Sequence, residues 1–348
     1  MMVLLSAISI FLLSYGITTI VVPYMISIAG RYNIVDNPDG KLKTHKSPTP
    51  YLGGIAVYLG FMSGLALFFP VLNQMCFALI GSTLLLFVGL VDDLIVLTPR
   101  QKWYGQVLAT CCFVRGGFYL KEIFLSAYMP TFAPYVWAVL SALWILTIIN
   151  AFNLLDVMDG LATTTALCVA SSLCVIAYTL QASASAQMLL ALCGALVAFL
   201  RWNRPAAHIY LGDAGSLFVG GVLAIAPFTI PWGHYYYLGF LTPIIIFFIP
   251  LIEVFSLIII RTLRGIPWYC GSPDHFCMYL KKNGWNNLSI LKFVFIFSAT
   301  LLLFGCFFVH GRIDFIHALL LGTLLNLAWL YIVFAPRRFK IASFLSAN

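Results

Sequence analysis

Residues 134–160 read PYVWAVLSALWILTIINAFNLLDVMDG. The leading part, 134–152, is an apolar run of the length a helix needs to cross a bilayer core, ~20 residues. The trailing part carries Asn150, Asn153, Asp156 and Asp159, spaced by three, and then Gly160. Residues three apart stay on one side of a helix and drift slowly round it. The spacing therefore predicts a spanning helix that ends in a polar stripe, with a glycine where the chain can leave the helix. Intramembrane Asn also joins helices by hydrogen bonds, but that reading accounts for one Asn more readily than for four aligned groups.

The rest of the chain repeats the apolar half of this pattern. Of 348 residues, 62% are hydrophobic and 9% charged, with 19 Lys and Arg against 11 Asp and Glu, and the mean hydropathy is +1.00. A soluble domain carries roughly 25% charge, so water is excluded as the main solvent; disorder and a secreted disulfide scaffold are excluded by the same composition. Further apolar runs lie near 3–28, 52–70, 74–91, 161–181, 186–200, 215–231, 236–260, 289–309 and 315–335, with a short one at 103–115 between Lys102 and Lys121. The first run lacks a basic leader and a small-residue cleavage site, and reads as a retained helix. The expected fold is an all-α integral membrane protein, one polytopic bundle over 1–348 with about eleven transmembrane helices. The nine cysteines show no metal-ligand spacing and read as buried free thiols. Gly60-x-x-x-Gly64 permits close helix packing, within the chain or in a homodimer.

Eleven spans put segments 31–51, 92–102, 150–160, 201–216 and 261–288 on one face, together with the C-terminus. Sixteen cations fall on or beside that face, against Arg115, Lys121 and Arg312 opposite. Cytoplasmic loops carry the excess of Lys and Arg, so this face is read as cytoplasmic and the N-terminus as outside. Such a charge balance suits anionic lipid and phosphorylated ligands, and nothing in it points to nucleic acid.

Eight acids share that face: Asp36, Asp39, Asp92, Asp93, Asp156, Asp159, Asp213 and Asp274. Carboxylates mixed with cations at helix ends furnish a metal-assisted phosphate site, where acids hold Mg²⁺ and Lys or Arg holds phosphate oxygens. Asp92-Asp93 closes the third run, and Lys102 follows. Adjacent helical residues point about 100° apart, so the two acids are expected to do different jobs. Gly212-Asp213-Ala214-Gly215-Ser216 opens a span where backbone N–H groups and a helix N-terminus favour an anion. The 261–288 loop holds Arg261, Arg264, Asp274, His275, Lys281 and Lys282.

Taken in order, these stretches resemble a family. They are Val35-Asp36-Asn37-Pro38, Lys43-Thr44-His45, Pro48-Thr-Pro-Tyr-Leu-Gly53-Gly54, Asp92-Asp93 with Lys102, Asn150-x-x-Asn153-x-x-Asp156-x-x-Asp159-Gly160, and Gly212-Asp213-x-Gly215-Ser216. The set, spanning about 31 to 285, is similar to the polyprenyl-phosphate N-acetylhexosamine-1-phosphate transferases of WecA/MraY type. The resemblance implies a bundle of ten or eleven helices in the inner (plasma) membrane with a cytoplasmic Mg²⁺ site, where Mn²⁺ can substitute. It implies transfer of a sugar 1-phosphate from a UDP-N-acetylhexosamine to undecaprenyl (polyprenyl) phosphate, releasing UMP, in cell-envelope polysaccharide synthesis. Asn153 and Asp213 would be metal ligands. Asp92, Asp93 and Lys102 would be catalytic, the acids handling the lipid phosphate and the lysine neutralising phosphate charge. Asn150, Asp156, Asp159, His45, Arg264, Asp274 and His275 would contact substrate. Glu253, after Pro250, falls where relatives often carry an acid inside the ninth span. Lys43-Thr-His45 and Pro50-Tyr-Leu-Gly53-Gly54 resemble the UDP-GlcNAc-using branch. The His-rich run of the branch that transfers phospho-MurNAc-pentapeptide is absent, since the loop reads Asp274-His275-Phe276.

The chemistry agrees with such residues. A phosphate monoester has a second pKa near 6, so the nucleophile is largely a dianion at neutral pH. The obstacle is charge repulsion at an electron-rich pyrophosphate, which makes positioning the main task expected of Asp92 and Asp93 and base catalysis a lesser one. A secondary transporter would also carry intramembrane acids, but on repeated halves converging at the bilayer midplane, and no repeat is visible. Asp159-Gly160-Leu161-Ala162 resembles the opening of the CDP-alcohol phosphotransferase motif, whose next Arg is Thr163 here and whose later acids are missing.

Overall fold

A computed structural model describes residues 2–36, 48–66, 73–120, 131–267 and 269–334. The described chain is helical apart from loops, short 3₁₀ turns and one antiparallel pair of two-residue strands, β1 (Val35–Asp36) and β2 (Thr49–Pro50). In chain order the helices are α1 (Met2–Arg31), α2 (Gly53–Ala66), α3 (Asn73–Ile95), α4 (Pro99–Arg115), α5 (Ala133–Leu155), α6 (Leu161–Thr179), α7 (Ser183–Asn203), α8 (Gly212–Ile225), α9 (Thr242–Ile246), α10 (Phe248–Leu263), α11 (Phe276–Lys282), α12 (Asn287–Val309) and α13 (Phe315–Phe334).

Eight of the described segments are long and apolar enough to cross a membrane, and α9 with α10, bent by 66°, form a ninth if counted as one broken span. The protein is thus an all-α, multi-pass membrane protein. The other two of the eleven expected runs fold as α2 and α4, 14 and 17 residues long. At 1.5 Å per residue both helices as described are shorter than the ~20 residues that a span takes.

The outer helices show the solvent they were built for. Leu319, Leu320, Leu324 and Leu327 on α13, and Phe295, Ile296, Leu303 and Phe307 on α12, point outward. Apolar patches of this extent belong against lipid in a protein with nine or so spans. Helix α8 is the opposite case: 83% of the most apolar stretch of its span is buried, against 22% for α1 and 17% for α13. It packs on α2, α3, α5 and α6, so whatever its N-terminal end carries is surrounded by other helices.

Gly60 and Gly64 are used inside the chain. A Cβ on Gly60 would lie 1.9 Å from Thr18 Oγ1, and one on Gly64 would lie 2.0 Å from Ser14 Oγ. These glycines let α1 and α2 touch. Of the cysteines, Cys168, Cys193 and Cys277 are buried as expected, but Cys111 is exposed.

Candidate active site

The turn after α3 sets the site. Val96 takes a left-handed φ of +51°, and Asp92 Oδ1 accepts the Leu97 N–H at 2.6 Å. Thr98 then caps α4: it accepts the Gln101 N–H, and Gln101 Oε1 accepts the Thr98 N–H at 2.9 Å, with Pro99 in the first turn. This reciprocal capping box satisfies helix-end donors and brings Lys102, in the first turn of α4, back towards Asp92. An ammonium has three donors and no acceptor. Lys102 Nζ lies 2.8 Å from Asp92 Oδ2 and 2.9 Å from Asp213 Oδ2, and donates to Asn153 Oδ1 at 3.1 Å. Four helices, α3, α4, α5 and α8, therefore converge on one cation. The Asn153 amide donates to Asp213 Oδ1 and, at 3.0 Å, to Ser216 Oγ.

Asp93 does something else. Its two oxygens accept the backbone N–H groups of Asp213 (2.9 Å) and Ala214 (3.0 Å). The anion at the α8 N-terminus is thus the Asp93 carboxylate, which satisfies otherwise orphaned helix-end donors and complements the helix dipole. Two glycines make this close approach feasible. A Cβ on Gly89 would lie 2.3 Å from the Asp213 backbone, and Gly212 adopts φ +72° with Asp93 Oδ2 2.8 Å from where its Cβ would be.

The stripe 150–160 does not stay helical to its glycine. Helix α5 stops at Leu155, Asp156 leaves the helical region at φ −82°, ψ 52°, and Gly160 in the left-handed region starts α6. The stripe accordingly splits. Asn153 joins the Lys102 cluster. Asn150 pairs reciprocally with Gln106 of α4, donating at 2.9 Å and accepting at 3.3 Å. Asp156 accepts the Gly212 N–H, and its carboxyl is pushed up to about 8 by burial and then by the Asp213 and Asp93 carboxylates, although part of it reaches solvent. Asp159 accepts the Ala207 N–H at 3.2 Å. Nearby, Tyr51 donates to Asp36 at 2.6 Å; burial and that carboxylate raise its phenol above the usual value. His45 lies outside the described residues.

A second cluster occupies the loop after α10. Arg264 Nη1 bonds Asp274 Oδ1 at 2.5 Å. His275 Nδ1 lies 2.8 Å from Glu253 Oε1, and Arg261 Nε donates to Ser272 Oγ at 2.9 Å. Asp274 Oδ2 is buried with no hydrogen-bond partner among the described residues, which for a carboxylate oxygen costs free energy unless a ligand donor completes it. Helix α11 seats on α13 through Phe276 and Trp329, ring centroids 4.9 Å apart.

No group of three His, Cys, Asp or Glu side chains that could hold a metal ion is found among the described residues. The oxygens gathered on Lys102 mix two carboxylates with an amide carbonyl instead. Mg²⁺ is usually bound through one or two carboxylates, with waters and substrate phosphates completing six oxygens, and a donor set already arranged round a cation fits that requirement. Ser216 and Gln106 join the site without a role expected from the sequence. Gln106 had a signal, since it lies four residues after Lys102 on the same helix face; Ser216 reads equally well as a helix-start residue.

The family described as Glycosyl transferase family 4 matches residues 75–230, the segment that supplies every member of the Lys102 cluster. The chain is 28% identical over 302 residues to a probable undecaprenyl-phosphate N-acetylglucosaminyl 1-phosphate transferase of Bacillus subtilis, covering 84% of both chains. It is 24% identical to a decaprenyl-phosphate N-acetylglucosaminephosphotransferase of Mycobacterium tuberculosis, over 81% of this chain and 78% of that one. It is 31% identical to a phospho-N-acetylmuramoyl-pentapeptide-transferase of Caldicellulosiruptor bescii, over 62% of this chain and 72% of the relative. A family match over the segment that builds the four-helix cluster, together with relatives aligned well beyond it, places the chain in glycosyl transferase family 4, as a membrane-embedded phosphoglycosyltransferase.

Proposed function

We propose that the protein transfers N-acetylglucosamine 1-phosphate from UDP-GlcNAc to undecaprenyl phosphate, releasing UMP, with Mg²⁺ required and the site on the cytoplasmic side of the plasma membrane. The observation that carries this reading is the convergence of Asp92, Asn153, Asp213 and Lys102 from four helices on one point. That is the furnishing needed to bring two phosphorylated substrates together against their mutual repulsion. The skew of cations supports the proposed orientation, N-terminus outside and C-terminus cytoplasmic, with eleven crossings if α2 and α4 complete theirs.

In this reading Asp213 and Asn153 hold the metal, which when bound polarises the pyrophosphate and screens its charge. Lys102 turns its donors from the carboxylates to phosphate oxygens. Asp92 orients the lipid phosphate. Asp93, committed to the α8 N-terminus, acts through Asp213 as a positioning residue. Asp156 and Asp159 border the nucleotide, and Arg264, Asp274 and His275 meet the sugar phosphate.

A second reading is transfer of phospho-MurNAc-pentapeptide, the activity in the name of the 31%-identical relative. The single His of Asp274-His275-Phe276 favours the first. Purified protein assayed with Mg²⁺, undecaprenyl phosphate and a panel of UDP-sugars, reading UMP, tests both. Release with UDP-GlcNAc is expected. Release only with UDP-MurNAc-pentapeptide would select the second reading, and silence with every donor would overturn both.

A further inference from the structure

We infer that Glu253 is a positioning residue for His275, fixing which ring nitrogen that histidine turns to the nucleotide sugar; the inference rests on the proposed role of the 261–288 loop. Glu253 lies in α10 beyond the 66° bend and is 1% exposed. An ionisable group inside an apolar helix is costly and kept for a reason. Both its oxygens are used on consecutive residues of another element. Oε1 meets His275 Nδ1 at 2.8 Å, and Oε2 accepts the Phe276 N–H at 3.3 Å. His275 stands at the N-cap of α11, yet its own side chain makes no capping bond there. Glu253 supplies that cap from α10 and claims Nδ1 in the same act.

The chemical consequence follows from the imidazole. A carboxylate at Nδ1 keeps the proton on that nitrogen, because the hydrogen bond made by one ring nitrogen sets the state of the other. Nε2 is then the nitrogen not committed to Glu253. The preceding residue is tied to the C-cap of the same helix, through Arg264 and Asp274. Asp274-His275 is thus anchored to α10 and to its C-terminal cap, and the ring can neither flip nor change tautomer without breaking the Glu253 contact. A purely structural ion pair would hold the loop but would leave catalysis indifferent to the tautomer.

The test combines a spectrum with kinetics. In ¹⁵N-histidine-labelled protein in micelles, without substrate, the His275 signal is assigned by its loss in His275→Asn. Wild type is expected to show a protonated Nδ1. Glu253→Gln is expected to move the ring towards the Nε2–H tautomer and to raise KM for the UDP-sugar about tenfold, the lower end of what loss of a histidine-orienting partner does at metal sites. Glu253→Asp is expected to restore part of both. An unprotonated Nδ1 in wild type overturns the inference, as does a tautomer change without a KM change, or the reverse. If Glu253→Gln fails to fold, Glu253→Asp carries the kinetic arm, and the wild-type spectrum still overturns the inference if Nδ1 is unprotonated. Absence of UMP release in wild type would sink the functional reading and leave the spectral result standing.

Discussion

The two polar clusters are built by different means. Around Lys102, every side chain projects from one of four packed helices, and backbones approach closely enough that a Cβ on Gly89 would overlap the Asp213 backbone. Beyond α10, the groups sit on a loop and a seven-residue helix tied back by side chains, Glu253 to His275 and Arg264 to Asp274. Rigid elements place groups to within the tolerance chemistry demands, whereas tied loops adapt to the shape of a ligand. The first cluster is therefore expected to control turnover and the second affinity.

The sharpest way to break that division is Asp213→Asn. It removes a carboxylate from the Lys102 cluster and should lower kcat about 10³-fold, the scale for loss of one preorganised electrostatic group; UMP release checks this, and a loss under tenfold would put the cluster outside the reaction. Gly89→Ala leaves every polar group in place but pushes α3 from α8. A misplacement near 1 Å should lower kcat about 10²-fold, with Tm reporting the accompanying strain. On the other side of the comparison, Arg264→Ala should raise KM for the UDP-sugar roughly tenfold while kcat stays within about threefold, the pattern of lost ground-state binding. If kcat fell instead, the loop would belong with the helices.

Smaller effects separate architecture from chemistry. Asp93→Asn should weaken the cap on α8 by about 1 kcal/mol, lowering Tm by about 2–4 °C in a scan in detergent. Asp156 gives a pH signature. Its folded carboxyl titrates at about 8 against 3.8 unfolded, so the folded state binds more protons between those values and stability falls as pH rises through that window. Tm measured from pH 5 to 8.5 should decline, and Asp156→Asn should flatten the decline; an unchanged slope would show that Asp156 is not its source.

Much of this was legible beforehand, for reasons that can be named. The apolar runs had to become helices because unpaired backbone polar groups cannot be left in lipid. Asp92, Asn153, Lys102 and Asp213 could be nominated because ionisable or amide groups at the ends of such helices are rarely idle. A spacing of three from Asn150 to Asp159 predicts one helical stripe, but the helix ends at Leu155, because Asp156 and the left-handed Gly160 form a turn before α6. Asn150 was legible as polar but not as the partner of Gln106. That pairing depends on α4 lying beside α5.

The sequence by itself determined the solvent, the helices and the gathering of charged groups along a few segments, since each follows from local composition and period. It also implied that Asp92 and Asp93 differ, because neighbours on a helix point apart. Which of the two meets Lys102 and which caps α8 was decided only by the tertiary structure. A residue's direction round its own helix is local, but what it meets depends on how closely other helices approach, and here glycines at 89 and 212 set that distance.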